Sequence, residues 1–305
     1  MRTQVALAVL ATLTSAAAPA RAGQVRVDVS NFQFTPATVT LNHGDHVVWV
    51  WLNGMHSATS GTSCTGDGIF DSALALTGPG VAFSWKSGAQ ARVPYFCMQH
   101  CDLGMTGAIA FGTNVAVADF RITEVRYNVA GGKDLVEITN HGNAVGNLGD
   151  YRLSVQAGVA VTLPLASLSV PGGGHVVLHG NATGTSTATD VFLPSLPDLP
   201  AAGAVSLYVP NSQAPSLALT DQIIDFAQWG AAGGPNEATA GGAMLWTPGQ
   251  FVPAVADGHS IELCDFTTRG AGAWAEISTP DFGSSGGCTT PALPATWGSL
   301  KQRYR

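Results

Sequence analysis

Cys97, His100 and Met105 fall on one short segment, Pro94-Tyr95-Phe96-Cys97-Met98-Gln99-His100-Cys101-Asp102-Leu103-Gly104-Met105. The pattern is Cys-x2-His-x4-Met. A thiolate and imidazoles suit copper, and a soft thioether can sit weakly at an axial position. Three such donors on one loop after a strand share one geometry. A fourth donor from a distant strand would tie that loop to a sheet. His56, in Asn53-Gly54-Met55-His56-Ser57, stands directly after the apolar run Val47 to Leu52 and fits that role. A Cys2His2 zinc site built from His56, Cys97, His100 and Cys101 is the competing reading. It strands Cys64, gives Met105 no role and asks adjacent His100 and Cys101 to bind one ion.

The His after a Val- and Trp-rich strand, the Tyr-Phe-Cys entry and Cys-x2-His-x4-Met together resemble the plastocyanin/cupredoxin family. The resemblance covers about Val25 to Phe111. It implies a Greek-key β-sandwich with one type 1 (blue) copper ion. His56 and His100 are then the imidazole ligands, Cys97 the thiolate and Met105 the axial thioether. It also implies one-electron transfer through the edge of His100 to a transient redox protein partner. Met55, Pro94, Met98 and Leu103 could make an apolar collar there. Many family members carry Asn after the first His; this chain has Ser57, which bears on the redox potential more than on metal binding.

The chain has five cysteines. In an oxidising compartment this suggests two disulfides and one thiol in use. Cys64 with Cys101 and Cys264 with Cys288 are the expected pairs, which leaves Cys97 for the metal. Asp67 and Asp71 read as turn formers rather than calcium ligands. His43 and His46 lie on or beside the turn His43-Gly44-Asp45, where solvent-exposed roles suffice.

The elements that must hold these residues are strands. Val25, Val27 and Val29 alternate with polar residues, and Val39 to Leu41, Val47 to Leu52, Val81 to Trp85 and Ala108 to Phe111 are further runs. Thr59 to Gly80 reads as a Gly- and Ser-rich excursion. Helix-favouring runs are missing beyond residue 22, and Gly, Pro, Asn and Asp punctuate the rest. The fold class is therefore all-β, with two β-sandwich domains.

The second set of strands lies near Phe120–Val125, Leu135–Thr139, Tyr151–Val155, His175–Leu178, Ala204–Tyr208 and Ile223–Ala227. Gly131-Gly132 and Pro171-Gly172-Gly173-Gly174 read as turns. In order, Asp119-Phe120-Arg121-Ile122-Thr123-Glu124-Val125, Asp134-Leu135-Val136-Glu137-Ile138, Leu148-Gly149-Asp150-Tyr151, Ile223-Ile224-Asp225-Phe226 and Asp257-Gly258-His259-Ser260-Ile261-Glu262 resemble the lamin-tail domain. That resemblance implies an immunoglobulin-like sandwich, a binding or spacer module with no fixed ligand. Glu137 and Asp225 read as strand and turn residues, not catalysts. His175 and His179 share a strand face at i, i+4 and form no compelling zinc pair.

The expected organisation is a signal peptide at 1–22, a cupredoxin domain at 23–112, a lamin-tail-like domain at 116–288, and a linker with a basic tail at 289–305. Val5 to Leu13 is too short to span a bilayer, and Ala20-Arg21-Ala22 offers a small-residue cleavage site before Gly23. No transmembrane span is expected, and the chain is expected in the periplasm, outside the cell or on its surface. The formal charge is −7, and removing Arg2 and Arg21 makes it −9. Such a surface excludes nucleic acid as a partner. There is no His-x-His set or Ser/His/Asp arrangement, so the chain reads as a carrier rather than an enzyme. A copper-binding surface or adhesion module without an electron partner is the alternative.

Overall fold

The structure, a computed structural model, describes residues 22–288 apart from 74–75, 78–80, 130–133, 158, 166, 213–215 and 285–287. The expected leader up to residue 21, the Gly131-Gly132 turn and the tail at 289–305 lie outside the described residues.

The first region contains β1 (Gln24–Ser30), β2 (Gln33–Thr35), β3 (Thr38–Leu41), β4 (His46–Trp51), β5 (Met55–His56), β6 (Thr59–Thr62), β7 (Thr65–Asp71), β8 (Leu76–Thr77), β9 (Ala82–Lys86), β10 (Arg92–Phe96) and β11 (Thr106–Phe111). One sheet runs β2-β1-β4-β9 and the other β3-β11-β10-β6-β7. β1 lies parallel to β4, and β3 parallel to β11. Val27, Val29, Leu41, Val47, Trp49, Trp51, Val93, Tyr95 and Ile109 fill the core between the sheets. Thr59 to Gly80 is not a plain excursion: β6 and β7 form a hairpin there, and β8 pairs with β5. Asp67 and Asp71 accordingly lie on strand β7 rather than in turns. Asp67 accepts from the Ile69 amide, and Asp71 accepts from the Thr59 hydroxyl.

The second region contains β12 (Phe120–Arg126), β13 (Leu135–Asn140), β14 (Gly146–Asn147), β15 (Arg152–Ala157), β16 (Val159–Pro164), β17 (Ser169–Val170), β18 (His175–Gly180), β19 (Asp190–Leu193), β20 (Gly203–Tyr208), β21 (Ile223–Trp229), a short helix α1 (Glu237–Gly242), β22 (Ser260–Leu263) and β23 (Trp274–Ile277). A six-stranded sheet, β19-β18-β13-β12-β22-β23, and a four-stranded sheet, β16-β15-β20-β21, share one core around Phe120, Ile122, Leu153, Leu207, Phe226 and Trp229. Asp225 lies on the expected strand. It is buried on β21, accepts from the Ile122 amide and lies 3.3 Å from Arg269. Glu137 lies on β13 and accepts from Thr123 and the Gly283 amide. His179 pairs with Asp190 at 2.9 Å and stacks on Phe192.

β4 explains how the regions meet. All six of its residues are buried. Alternate side chains of a strand point to opposite faces. Val47, Trp49 and Trp51 therefore enter the first core, while Val48 and Val50, with Ala82 of β9, join the second. This is why Val47 to Leu52 reads as a continuous apolar run and not an alternating one. Polar contacts border the patch. Gln24 bridges to Ala118, Arg26 pairs with Asp150, and Ser212 exchanges two hydrogen bonds with Ala82.

His46 is part of this seam and not solvent-exposed as its position beside a turn suggests. Its side chain is 1% exposed, and Nε2–H donates to the Asp221 carbonyl at 2.6 Å. Burial pushes its pKa down to about 4. The unfolded chain therefore takes up a proton below about pH 6.5 that the folded chain refuses until about pH 4. Stability from this residue is present above pH 6.5 and lost as pH falls toward 4. Glu124 and Glu262, cross-strand neighbours on β12 and β22, have the opposite sign, because burial raises both to about 7. The folded state holds their protons longer, so they favour it as pH falls from 7 toward 4.5. The contribution of His46 is thus isolated by difference. Against His46→Gln, the wild type should lose about 3 kcal/mol of relative stability between pH 7.5 and pH 4, measured by urea unfolding across that range. A pH-independent difference would reject the assignment.

Candidate metal centre

Three segments deliver the donors. β4 ends at Trp51, and Gly54 turns the chain (φ +72°) so that β5 presents His56. A Cβ at Gly54 would lie 2.5 Å from His56 Nε2, so this position has no room for a side chain. The Trp51 indole donates to the His56 carbonyl at 3.1 Å and fixes the backbone behind the ring. β10 ends at Phe96 and delivers Cys97. The loop then closes on itself: His100 N–H donates to the Cys97 carbonyl (3.1 Å), Met105 N–H to the His100 carbonyl (3.1 Å), and Cys97 N–H to the Met105 carbonyl (3.0 Å). A short 3-10 turn at Cys101–Leu103 and Gly104 at φ +87° supply the reversal between them.

The donor atoms converge. Cys97 Sγ lies 3.4 Å from His100 Nδ1 and 3.9 Å from His56 Nδ1, and the two Nδ1 atoms are 3.0 Å apart. All three lie within 4.8 Å of one another, and among the described residues this is the only such group of histidine, cysteine and carboxylate ligand atoms. Cys97 and Met105 are both fully buried, and Cys97 is the free cysteine. Burial, then the neighbouring His100, holds the His56 pKa down, which favours the neutral imidazole that binds metal. Two imidazole nitrogens and a sulfur facing one point form a ready-made set of metal ligand atoms. Sulfur and imidazole together select copper or zinc, and a His2Cys set with Met105 beside it fits copper. Cys101 is not available to a zinc set, since it is bonded to Cys64 with a Cα–Cα distance of 5.7 Å.

The surroundings hold the sulfur in place. The Ser57 amide points at Cys97 Sγ (3.4 Å), and the Ser57 hydroxyl accepts from the Met98 amide (2.8 Å). Serine here thus supplies both an N–H to the sulfur and a latch between the two ligand segments. The Cys64–Cys101 bridge ties the β6–β7 hairpin tip to the residue after His100. The second bridge, Cys264–Cys288, lies in the other region.

His100 is half-buried, and exposed apolar side chains belong to the same segments. Met55 is 45%, Met98 48% and Leu103 72% exposed. Pro94 lies within β10, paired opposite Ala108, and is half-buried. The residue that sequence reasoning missed is Phe32. Asn31 and Phe32 both adopt left-handed backbone (φ +46° and +61°) in the turn between β1 and β2. This turn sets the Phe32 ring edge-on against His100, with centroids 4.6 Å apart, and 6.0 Å from His56. Asn is the usual sign of such a turn, but nothing in Asn31-Phe32-Gln33 says which ring it will meet.

A family model described as copper binding proteins, plastocyanin/azurin family, matches residues 21–112. Among solved structures, the chain is similar to pseudoazurin from Methylobacterium extorquens AM1, with 22% identity over 30% of this chain and 76% of that one, at a TM-score of 0.25. Pseudoazurin from Hyphomicrobium denitrificans matches at 19% identity over 29% and 75%, TM-score 0.25. Plastocyanin from Dryopteris crassirhizoma matches at 17% over 29% and 100%, TM-score 0.23. No curated protein matches the chain. Residues 21–112 are a cupredoxin copper-binding domain with a type 1 His, Cys, His, Met site. Replacing Gly54 with Ala should displace the His56 ring and weaken copper binding by about tenfold or more, read by titration against a coloured chelator. Unchanged affinity would show that the ring does not depend on that turn.

Proposed function

We propose that this chain is a secreted one-electron carrier that uses His56, Cys97, His100 and Met105 to hold a single type 1 copper ion. The observation that carries the reading is the buried, unpaired Cys97 facing two imidazole nitrogens, with the outer ring under an exposed apolar rim. When bound, copper supplies a reversible one-electron couple. The chain supplies rigidity: the closed loop from Cys97 to Met105, the Ser57 latch and the Trp51 bond leave the ligands little freedom to rearrange when the charge changes. Four protein donors leave no open position for substrate, which favours transfer over catalysis. An exposed apolar rim beside His100 suits brief docking with a redox protein, because transient redox interfaces are small. Two disulfides favour an oxidising compartment, periplasmic or extracellular, as does the leader reading of residues 1–22.

For the second region, at 116–288, we propose a lamin-tail-like immunoglobulin sandwich. The six- and four-stranded sheets packed on one core support it. Its seam with β4 and β9 favours a fixed companion over a tethered spacer.

Copper-loaded protein should show an intense visible thiolate-to-Cu(II) band and a reversible wave in voltammetry. Cys97→Ser should abolish the band while the fold, read by circular dichroism, persists. A blue band that survives in that variant refutes the ligand assignment. Slow electron exchange with retained copper would instead favour the surface-module reading.

A further inference from the structure

We propose that cleavage between Ala22 and Gly23 creates an α-ammonium group that pairs with the buried carboxylate of Asp45 and latches the seam between the two β regions. The proposal rests on the leader reading of residues 1–22, but the observations behind the pairing are independent of it.

Gly23 is buried, and its backbone nitrogen lies 2.7 Å from Asp45 Oδ1. Asp45 is 1% exposed. Its other donors are the Asn42 amide and the Asn42 side-chain N–H, both at 2.9 Å. All three donors are neutral, and Asp45 takes part in none of the ion pairs of the described residues. A buried carboxylate with only neutral donors is an expensive arrangement. Burial and nearby Asp119 both push its pKa up. A cation at the position of Gly23 N would answer this.

Gly23 is also pinned from both sides of the seam. Its carbonyl accepts from the His46 amide at the start of β4, and the next residue's amide donates to the Ala118 carbonyl, both at 2.8 Å. A Cβ here would fall 2.2 Å from Val117 Cγ2, so only glycine fits. Gly23 and Asp45 both line a cavity of 360 Å³, with Asn42, Asn114, Asp119 and His141 among its other walls. It leaves room for the two further hydrogens of an ammonium and for water. Asp119 in that cavity is already paired with Arg121.

The step is hydrolytic. A secretory endopeptidase that accepts small residues adds water across the Ala22–Gly23 amide. Ala22 leaves with the carboxylate, and Gly23 keeps the amine, which is mostly protonated at neutral pH. One neutral hydrogen bond is lost, from Gln24 Nε2 to the Ala22 carbonyl. An ammonium–carboxylate contact replaces an amide–carboxylate one, which adds the attraction of opposite charges to a hydrogen bond whose acceptor is already ionised. Cleavage before folding leaves the scissile bond accessible, so burial of the new terminus is no obstacle.

The test has two arms. The full chain is secreted from a bacterial host, and the intact mass of the product is measured. In parallel, a chain released at Gly23 by a site-specific protease is compared with one that retains Ala22. The secreted mass should begin at Gly23. At neutral pH the Gly23 chain should unfold with a constant about tenfold smaller or better than the Ala22 chain, and this gap should vanish when both carry Asp45→Asn. Its α-amine should resist an amine-reactive ester in the folded state and react normally in urea, a readout that needs no variant to fold. A different starting residue overturns the processing. Equal unfolding constants, a gap that persists with Asp45→Asn, or a freely acylated amine overturns the latch whatever the processing.

Discussion

Three ligand atoms from two separate segments, aimed at one point inside the protein, are the constraint on which the first region depends. His56 Nδ1, His100 Nδ1 and Cys97 Sγ lie at hydrogen-bond distances, so a proton on one ring can bridge two of them, but such a bond does not fix all three donors on one point. The scaffold must therefore hold them by other means. Trp51 fixes the backbone of His56 from below, the Cys97–Met105 loop is closed by its own amides, and Ser57 joins the two segments. Each bond is worth only about 1 kcal/mol on its own. Their effect is geometric: each removes one way for a donor to turn aside.

That geometry rests in turn on β4, which is buried on both faces. One face carries Val47, Trp49 and Trp51 toward the metal-bearing sandwich. The other carries Val48 and Val50 into the second core. Removing the second region would expose the second set, on the strand that leads directly into Gly54 and His56. The two regions are thus coupled by an ordinary consequence of strand geometry. The apolar rim at Phe32, Met55, Met98 and Leu103 remains exposed with the second region in place. Among the described residues, then, the covered sheet face and the open metal end are separate surfaces. The seam can hold the molecule together without competing for the docking end.

The ligand chemistry was legible because it sits at fixed spacing on one loop, and Cys97 was legible by cysteine arithmetic. His56 was legible because it follows an apolar run. Two things were not. His46 looked like a turn neighbour, because local sequence cannot report that a segment 175 residues later will cover it. Phe32 gave no sign of its place beside His100, because a ring's partner depends on the direction a left-handed turn gives it. The hairpin β6–β7 was hidden for a third reason. Its Gly, Ser and Thr content is that of a loop, and it becomes a strand pair through its position beside β10 and the bridge at Cys64.

The same distinction bears on what the second region contributes. Its carboxylates look like a catalytic or metal set when read as a list, yet most are already committed. Asp225 and Asp119 face Arg121, Glu137 accepts from Thr123 and the Gly283 amide, and Glu124 accepts from Ser260. Carboxylates held this way stabilise strands against each other. A region built like this holds its own shape and that of its neighbour. The metal-ligand cluster of the described residues stays at the far end of β4, where a sulfur and two imidazoles converge.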